Sequence, residues 1–206
     1  MDTVIDYYFA PQSPWTYLGH DRFARIAERA GARIRVRPVD LGGRVFPVSG
    51  GLPLGKRAPQ RQAYRLLELR RFGDWLGLPI NLAPKYFPVS GDDAALLIIA
   101  VDLHDGAGAA MQLAGRVLAA VWRDDLNIAD ESTLATLLAE CGLNPERIRH
   151  SRSQAVHELY AANTQAAIDA GVFGAPSFVI DGELFWGQDR LDFVERRLAA
   201  KPQREA

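Results

Sequence analysis

Two hydroxyls lie close together near the start of the chain, in Ser13-Pro14-Trp15-Thr16. They follow the apolar run Val4–Phe9, which reads as a mostly buried strand, and open Tyr17–Ala30, which reads as an amphipathic helix. A helix start collects unsatisfied N–H groups and a partial positive charge, so a small hydroxyl there is placed to meet an anion or a thiolate. The plain alternative is that Ser13 or Thr16 only caps the helix. A second group is the cationic run Lys56, Arg57, Arg61, Arg65, Arg70 and Arg71. It offers anion partners, or simply a solvated helix face on which Glu68 pairs locally with Arg65 or Arg71.

Other chemistries lack their residues. His20, His104, His150 and His157 show no metal-ligand spacing and read as surface or satisfied histidines. There is no Ser-His-Asp or Gly-x-Ser-x-Gly pattern for a hydrolase, and no glycine-rich phosphate loop after the first strand. Cys141 is the one cysteine, so no intrachain disulfide or dithiol cycle is possible, and it reads as a small core residue. The 206 residues are 48% hydrophobic and 24% charged, with a formal net charge of −1. That balance suits a soluble globular chain and gives no reason to expect nucleic acid or a membrane as partner. The most apolar run, Ala94–Leu103, is too short to span a bilayer. The chain enters its first strand without a basic and apolar leader, and cytoplasmic placement is expected.

The elements that must position these groups alternate at first. Arg33–Arg37 alternates charge with apolar residues, as a strand with one wet face does. With Val4–Phe9 and the helix closed by Gly31 it makes a βαβ opening, a parallel pair with a right-handed crossover. Leu41–Leu54, rich in Gly and Pro, reads as a loop. Helices are expected over Gln60–Leu76, Asp92–His104, Ala107–Arg123 and Ser132–Cys141, with a short one starting at Asn144-Pro145. A helix over Ser153–Ala170 follows. Ser177–Ile180 and Glu183–Trp186 are then strands joined by Asp181-Gly182, a strong hairpin signal. Asp189 is expected to cap a last helix ending at Leu198, with a frayed tail after Ala200. The fold class is therefore α/β. Residues 1–44 and 151–206 give βαβ followed by αββα, a thioredoxin-like domain, and residues 45–150 are an all-helical insertion. In such a fold Pro176, just before the third strand, is expected to be cis and to face the start of the first helix, baring the backbone of Ala175.

Three motifs in order, Ser13–Gly19, Gly174-Ala175-Pro176 and Trp186-Gly187-Gln188-Asp189-Arg190, resemble one branch of DsbA-like proteins. That branch holds the 2-hydroxychromene-2-carboxylate isomerases and the kappa-class glutathione transferases, and the likeness is strongest to the bacterial isomerases. The resemblance implies glutathione as cofactor, a small aromatic carboxylate as substrate and a homodimer. It implies that Ser13 hydrogen-bonds the glutathione sulfur, that the Ala175 backbone pairs with the cysteinyl part, and that Gln188 and Asp189 hold the γ-glutamyl end. Arg61, three residues before Tyr64, falls where the family has a lysine for the glycine carboxylate, with Lys56 as the alternative. The asparagine of the preceding loop in kappa-type enzymes has no counterpart in Ser49–Pro53. Ser13 and Thr16 stand where redox relatives carry Cys-x-x-Cys, which excludes a disulfide oxidoreductase. A kappa-type transferase or peroxidase, and a non-catalytic module binding extended peptides, are the competing expectations. Trp15, Tyr17, Tyr64, Tyr86, Phe87 and Trp186 either fill the core or wall an aromatic pocket between the two parts.

Overall fold

A computed structural model describes residues 3–200; the tail after Ala200 lies outside them. Strand β1 (Val4–Phe9), helix α1 (Pro14–Arg29) and strand β2 (Arg33–Pro38) form the βαβ opening, with β1 and β2 parallel. The chain then runs through α2 (Phe46–Ser49), α3 (Pro59–Leu76), α4 (Asp92–Asp105), α5 (Ala107–Trp122), α6 (Glu131–Glu140) and α7 (Arg147–His150). Helix α8 (Gln154–Asp169), the hairpin β3 (Ser177–Ile180) and β4 (Glu183–Trp186), and α9 (Leu191–Ala199) complete it. The sheet order is β2-β1-β3-β4, with β3 antiparallel to both neighbours. This is the thioredoxin-like arrangement with helices inserted between β2 and α8.

The two-residue period of β1 separates two faces. Ile5, Tyr7 and Phe9 point into the main core with Phe23, Ile26, Phe178 and Ile180. Tyr8 points the other way, to Val39, Ala167, Val172 and Val179 beneath α8. On that second face Asp6 sits opposite Arg35 and bonds Arg37 at 2.6 Å, which fixes the register at the wet edge. Apolar side chains of α4 and α5, among them Leu97, Ile98, Val101, Leu113 and Val117, extend the main core without a break. Ala94–Val101 is buried on every side, as its unbroken apolar run requires.

The hairpin turn has Asp181 at φ 49° and Gly182 at φ 81°, the paired left-handed conformations that match strand twist. Three expectations need correction. Leu41–Leu54 is not a plain loop: a wide helical turn over Leu41–Val45 leads into α2, held by Gly43 N–H donating to the Asp40 carboxylate at 2.7 Å. Regular helix begins at Arg147 and not at Asn144-Pro145, because Asn144 Oδ1 accepts from Glu146 N–H and closes a turn first. Asp189 does not cap α9. Its carboxylate turns to Arg190 at 2.5 Å, it lies inside a short 3-10 turn over Gln188–Arg190, and α9 starts beyond that turn with no side-chain cap.

Candidate functional site

Ser13 is the N-cap of α1, with Pro14 in the first turn where the missing N–H costs nothing. Its Oγ accepts from Thr16 N–H at 3.2 Å, so the capping role is real. The same oxygen lies 3.5 Å from the Ala175 carbonyl, 162 residues away, at the far limit of a hydrogen bond. The Ala175–Pro176 bond is cis, as expected from its place before β3. Ser13 is 8% exposed and Ala175 7%, so the two meet just beneath the surface. Among the described residues no protein group bonds the Ala175 N–H. A weakly engaged hydroxyl beside an unused backbone donor suits a thiol arriving on an extended peptide, and the first turn of α1 holds no carboxylate to repel a thiolate.

Thr16 is fully buried and its Oγ1 has no partner, so it backs the site and does not line it. Pro176 carries the opposing wall onward: its carbonyl accepts from Gly187 N–H at 2.9 Å, tying the cis-proline segment to the turn that bears Gln188 and Asp189. Gly187 adopts φ 99°, a conformation that favours glycine. Gln188 is only 1% exposed; neither atom of its amide finds a partner, and its carbonyl accepts from Arg22. The side chain packs so close to Gly19 of α1 that a Cβ there would fall 2.8 Å from Gln188 Cβ. Asp189, by contrast, stands at the surface.

The basic run divides once folded. Arg71 pairs with Glu68 at 2.8 Å, as its spacing allows, whereas Arg65 does not. Lys56 ends a single 3-10 turn and Arg61 lies in the first turn of α3; both are exposed and neither forms an ion pair among the described residues. Helix α3 starts at Ala58 with no side-chain cap and no acidic residue in its first turn, so its positive end adds to these cations. Arg57 is fixed by donating from Nε to the Leu52 carbonyl at 2.8 Å. Arg65 lies over two rings, its Cζ 5.4 Å from the centre of Phe87 and 5.6 Å from that of Trp122.

Trp122 is the residue that sequence reading passes over. It closes α5 inside an apolar helix, and nothing local marks it out. Yet its Nε1 donates to the Gln12 carbonyl at 3.2 Å, joining the inserted helices to the residue before Ser13. Of the aromatics, Trp186 is half exposed and stacks with Phe173 beside the cis-proline segment, and Tyr64 and Tyr86 also reach solvent. Tyr17 spends its hydroxyl on the Pro79 carbonyl. A hollow lined by Arg70, Asp74, Leu78, Pro79, Ile80 and Leu82 lies beyond Tyr17 and includes neither Ser13 nor Ala175. That hollow is therefore separate from the contact between Ser13 and Ala175. Of the histidines, His20 is buried and satisfied between Tyr7 and the Met111 carbonyl.

Comparison with known proteins matches the arrangement. The family model of the DSBA-like thioredoxin domain fits residues 4–199. A 2-hydroxychromene-2-carboxylate isomerase from Pseudomonas putida is 28% identical over 193 residues, 93% of this chain and 92% of that protein. Glutathione S-transferase kappa 1 of Caenorhabditis elegans is 24% identical, covering 92% of this chain and 88% of its own. A solved structure of 2-hydroxychromene-2-carboxylate isomerase superposes with a TM-score of 0.78 at 26% identity, over 95% of this chain and 94% of its own.

Proposed function

Because the chain belongs to the DSBA-like thioredoxin family, we propose that it is a glutathione-dependent isomerase of aromatic-compound degradation. It interconverts 2-hydroxychromene-2-carboxylate and trans-o-hydroxybenzylidenepyruvate. Relatives bearing the isomerase name over nearly the whole chain support the reaction class. The observation that carries the site is the Ser13 hydroxyl at the start of α1, 3.5 Å from the Ala175 carbonyl, in a segment with no cysteine.

Glutathione held there would supply a nucleophilic thiolate for isomerising the conjugated double bond of the ring-opened substrate. The chain's own part is to hold that sulfur as an anion. The Ser13 O–H donates to it, and the α1 N-terminus adds its partial positive charge. The Ala175 N–H and carbonyl pair with the peptide portion, Asp189 meets the γ-glutamyl ammonium, and Gln188 sets the turn that presents it. Arg61 or Lys56 takes the glycine carboxylate at the positive start of α3. A homodimer completes this reading, with sedimentation as its check.

Replacing Ser13 by Ala removes a hydrogen bond to a charged sulfur, worth roughly 1.5–3 kcal/mol, so turnover should fall roughly 10–100-fold. Glutathione should still bind, because the backbone pairing survives. Undiminished turnover of the chromene by Ser13→Ala would remove Ser13 from the mechanism. The kappa-type relatives favour a second reading, use of the same thiolate to displace halide from an aryl halide or to reduce a hydroperoxide with oxidation of glutathione to its disulfide. Quantifying thiol after complete conversion decides between them: the isomerase returns all of it and the transferase does not.

A further inference from the structure

The arginines packed into this molecule are mostly matched. Arg37 pairs with Asp6, Arg116 with Glu140 and Asp124, and Arg147 makes two bonds to Asp105. Arg65 is different. It is half-buried, it forms no ion pair or hydrogen bond to another described residue, and its closest organised neighbours are the Phe87 and Trp122 rings. Loss of water, reinforced by the nearby charge of Arg57, pushes its guanidinium down to about 10, still fully charged at neutral pH. A cation held out of water without a counter-charge costs stability, and its two aromatic contacts offset only part of that cost. A planar fork left free to donate to two carboxylate oxygens, flanked by aromatic faces, has the chemistry of a carboxylate site.

Its location gives that chemistry a use. The Trp122 ring under Arg65 hydrogen-bonds the Gln12 carbonyl, one residue before Ser13, so a single ring links the guanidinium to the segment that opens α1. We propose that Arg65 is a carboxylate-binding residue serving the Ser13 site, with Arg57 strengthening the field and Phe87 and Trp122 flanking an aromatic ligand. The inference rests on the proposed function only in assigning the carboxylate to the aromatic substrate. The binding site itself does not depend on it. The tripeptide's glycine carboxylate is the other source of the same group.

The test uses salicylate, salicylamide and glutathione as probes, titrated by calorimetry into the parent, Arg65→Met and Arg65→Lys. Methionine keeps an apolar stem over the rings and removes the charge; lysine keeps the charge and removes the fork. In the parent, salicylate should bind about tenfold more tightly than salicylamide, the worth of a charge-assisted pair. Arg65→Met should lose that preference, Arg65→Lys should keep part of it, and glutathione affinity should stay within twofold. Loss of glutathione affinity with salicylate unchanged would still place a carboxylate at Arg65 and would assign it to the tripeptide. Unchanged binding of both probes by Arg65→Met overturns the proposal, as does a parent that binds salicylate and salicylamide alike and a variant that binds glutathione as the parent does. Thermal unfolding supplies a second readout. Arg65→Met should melt no lower than the parent, because it removes an uncompensated charge, whereas a purely structural arginine would leave the variant less stable. These titrations need no turnover, so a parent that binds salicylate through Arg65 but leaves the chromene unchanged would reject the isomerase reading and keep the site.

Discussion

His20 shows how one residue's surroundings decide its chemistry. The Met111 carbonyl can only accept, so Nε2 at 2.9 Å must carry the proton, and Nδ1 at 3.1 Å then accepts from the Tyr7 hydroxyl. Burial lowers the pKa below 6.5, with the Met111 carbonyl and Asp21 opposing the shift less strongly. The sign follows directly. Above about pH 6.5 the ring is neutral in both folded and unfolded chains. Below it the unfolded chain takes up a proton that the folded chain refuses, so stability falls as pH drops and levels off only beneath the lowered folded value. His20→Gln keeps one donor and one acceptor but cannot titrate. The parent should therefore lose up to ~1.4 kcal/mol per pH unit relative to this variant within that window, measured by denaturant midpoints from pH 7.5 to 5. Parallel profiles would show that His20 does not titrate between the two states. Sequence reading placed His20 only as surface or satisfied, since its partners sit 13 and 91 residues away. The place of Ser13 at the start of α1 and the cis bond of Ala175–Pro176 were legible because both follow from local position: before a helix, and before a strand. The free state of Arg65 was not, because it depends on which carboxylates the fold fails to bring near.

At the scale of elements, helices with continuous apolar patterns and glycine stops were legible to within a residue or two, except that α1 begins at Pro14, before the expected Tyr17, and the hairpin strands fell as expected. Less legible were turns fixed by a single side-chain acceptor, as at Asp40 and Asn144. Asp189 misled because an acidic residue before an apolar run has the form of a cap, yet Arg190 draws its carboxylate away. The close approach of α1 to the 187–190 turn was invisible for another reason: a glycine inside a helix does not say what presses on it. Gly19→Ala tests that contact. Alanine gains ~1 kcal/mol of helix propensity, while a Cβ 2.8 Å from Gln188 Cβ forces the turn outward at a cost of ~1–3 kcal/mol. Net stability should fall by less than ~2 kcal/mol, read from denaturant unfolding. Glutathione affinity should fall several-fold by titration, because the displaced turn carries Gln188 and Asp189. Parent-like affinity would mean that this turn takes no part in binding.

Across the whole molecule, chain topology and packing divide it differently. The helices between β2 and α8 enter and leave the thioredoxin-like order as an insertion, yet Leu97, Val101, Leu113 and Trp122 belong to the same buried cluster as Ile5, Phe23 and Phe178. Helix α5 packs on α1 and β2, and α4 on β2 and α8, so each part buries apolar surface that the other would leave wet. One core implies one transition: unfolding followed by far-ultraviolet dichroism and by tryptophan fluorescence should give superimposable curves. A chain joining residue 44 directly to residue 151 should fail to fold. Trp122→Ala adds the quantitative step. It removes a fully buried indole, opens a cavity and releases the Gln12 carbonyl, at an expected cost of ~3–5 kcal/mol. If the core is continuous, that loss shifts both probes together, although the residue sits at the end of an inserted helix. A variant in which helix content melts early while β-sheet signal persists would instead establish two separately stable parts.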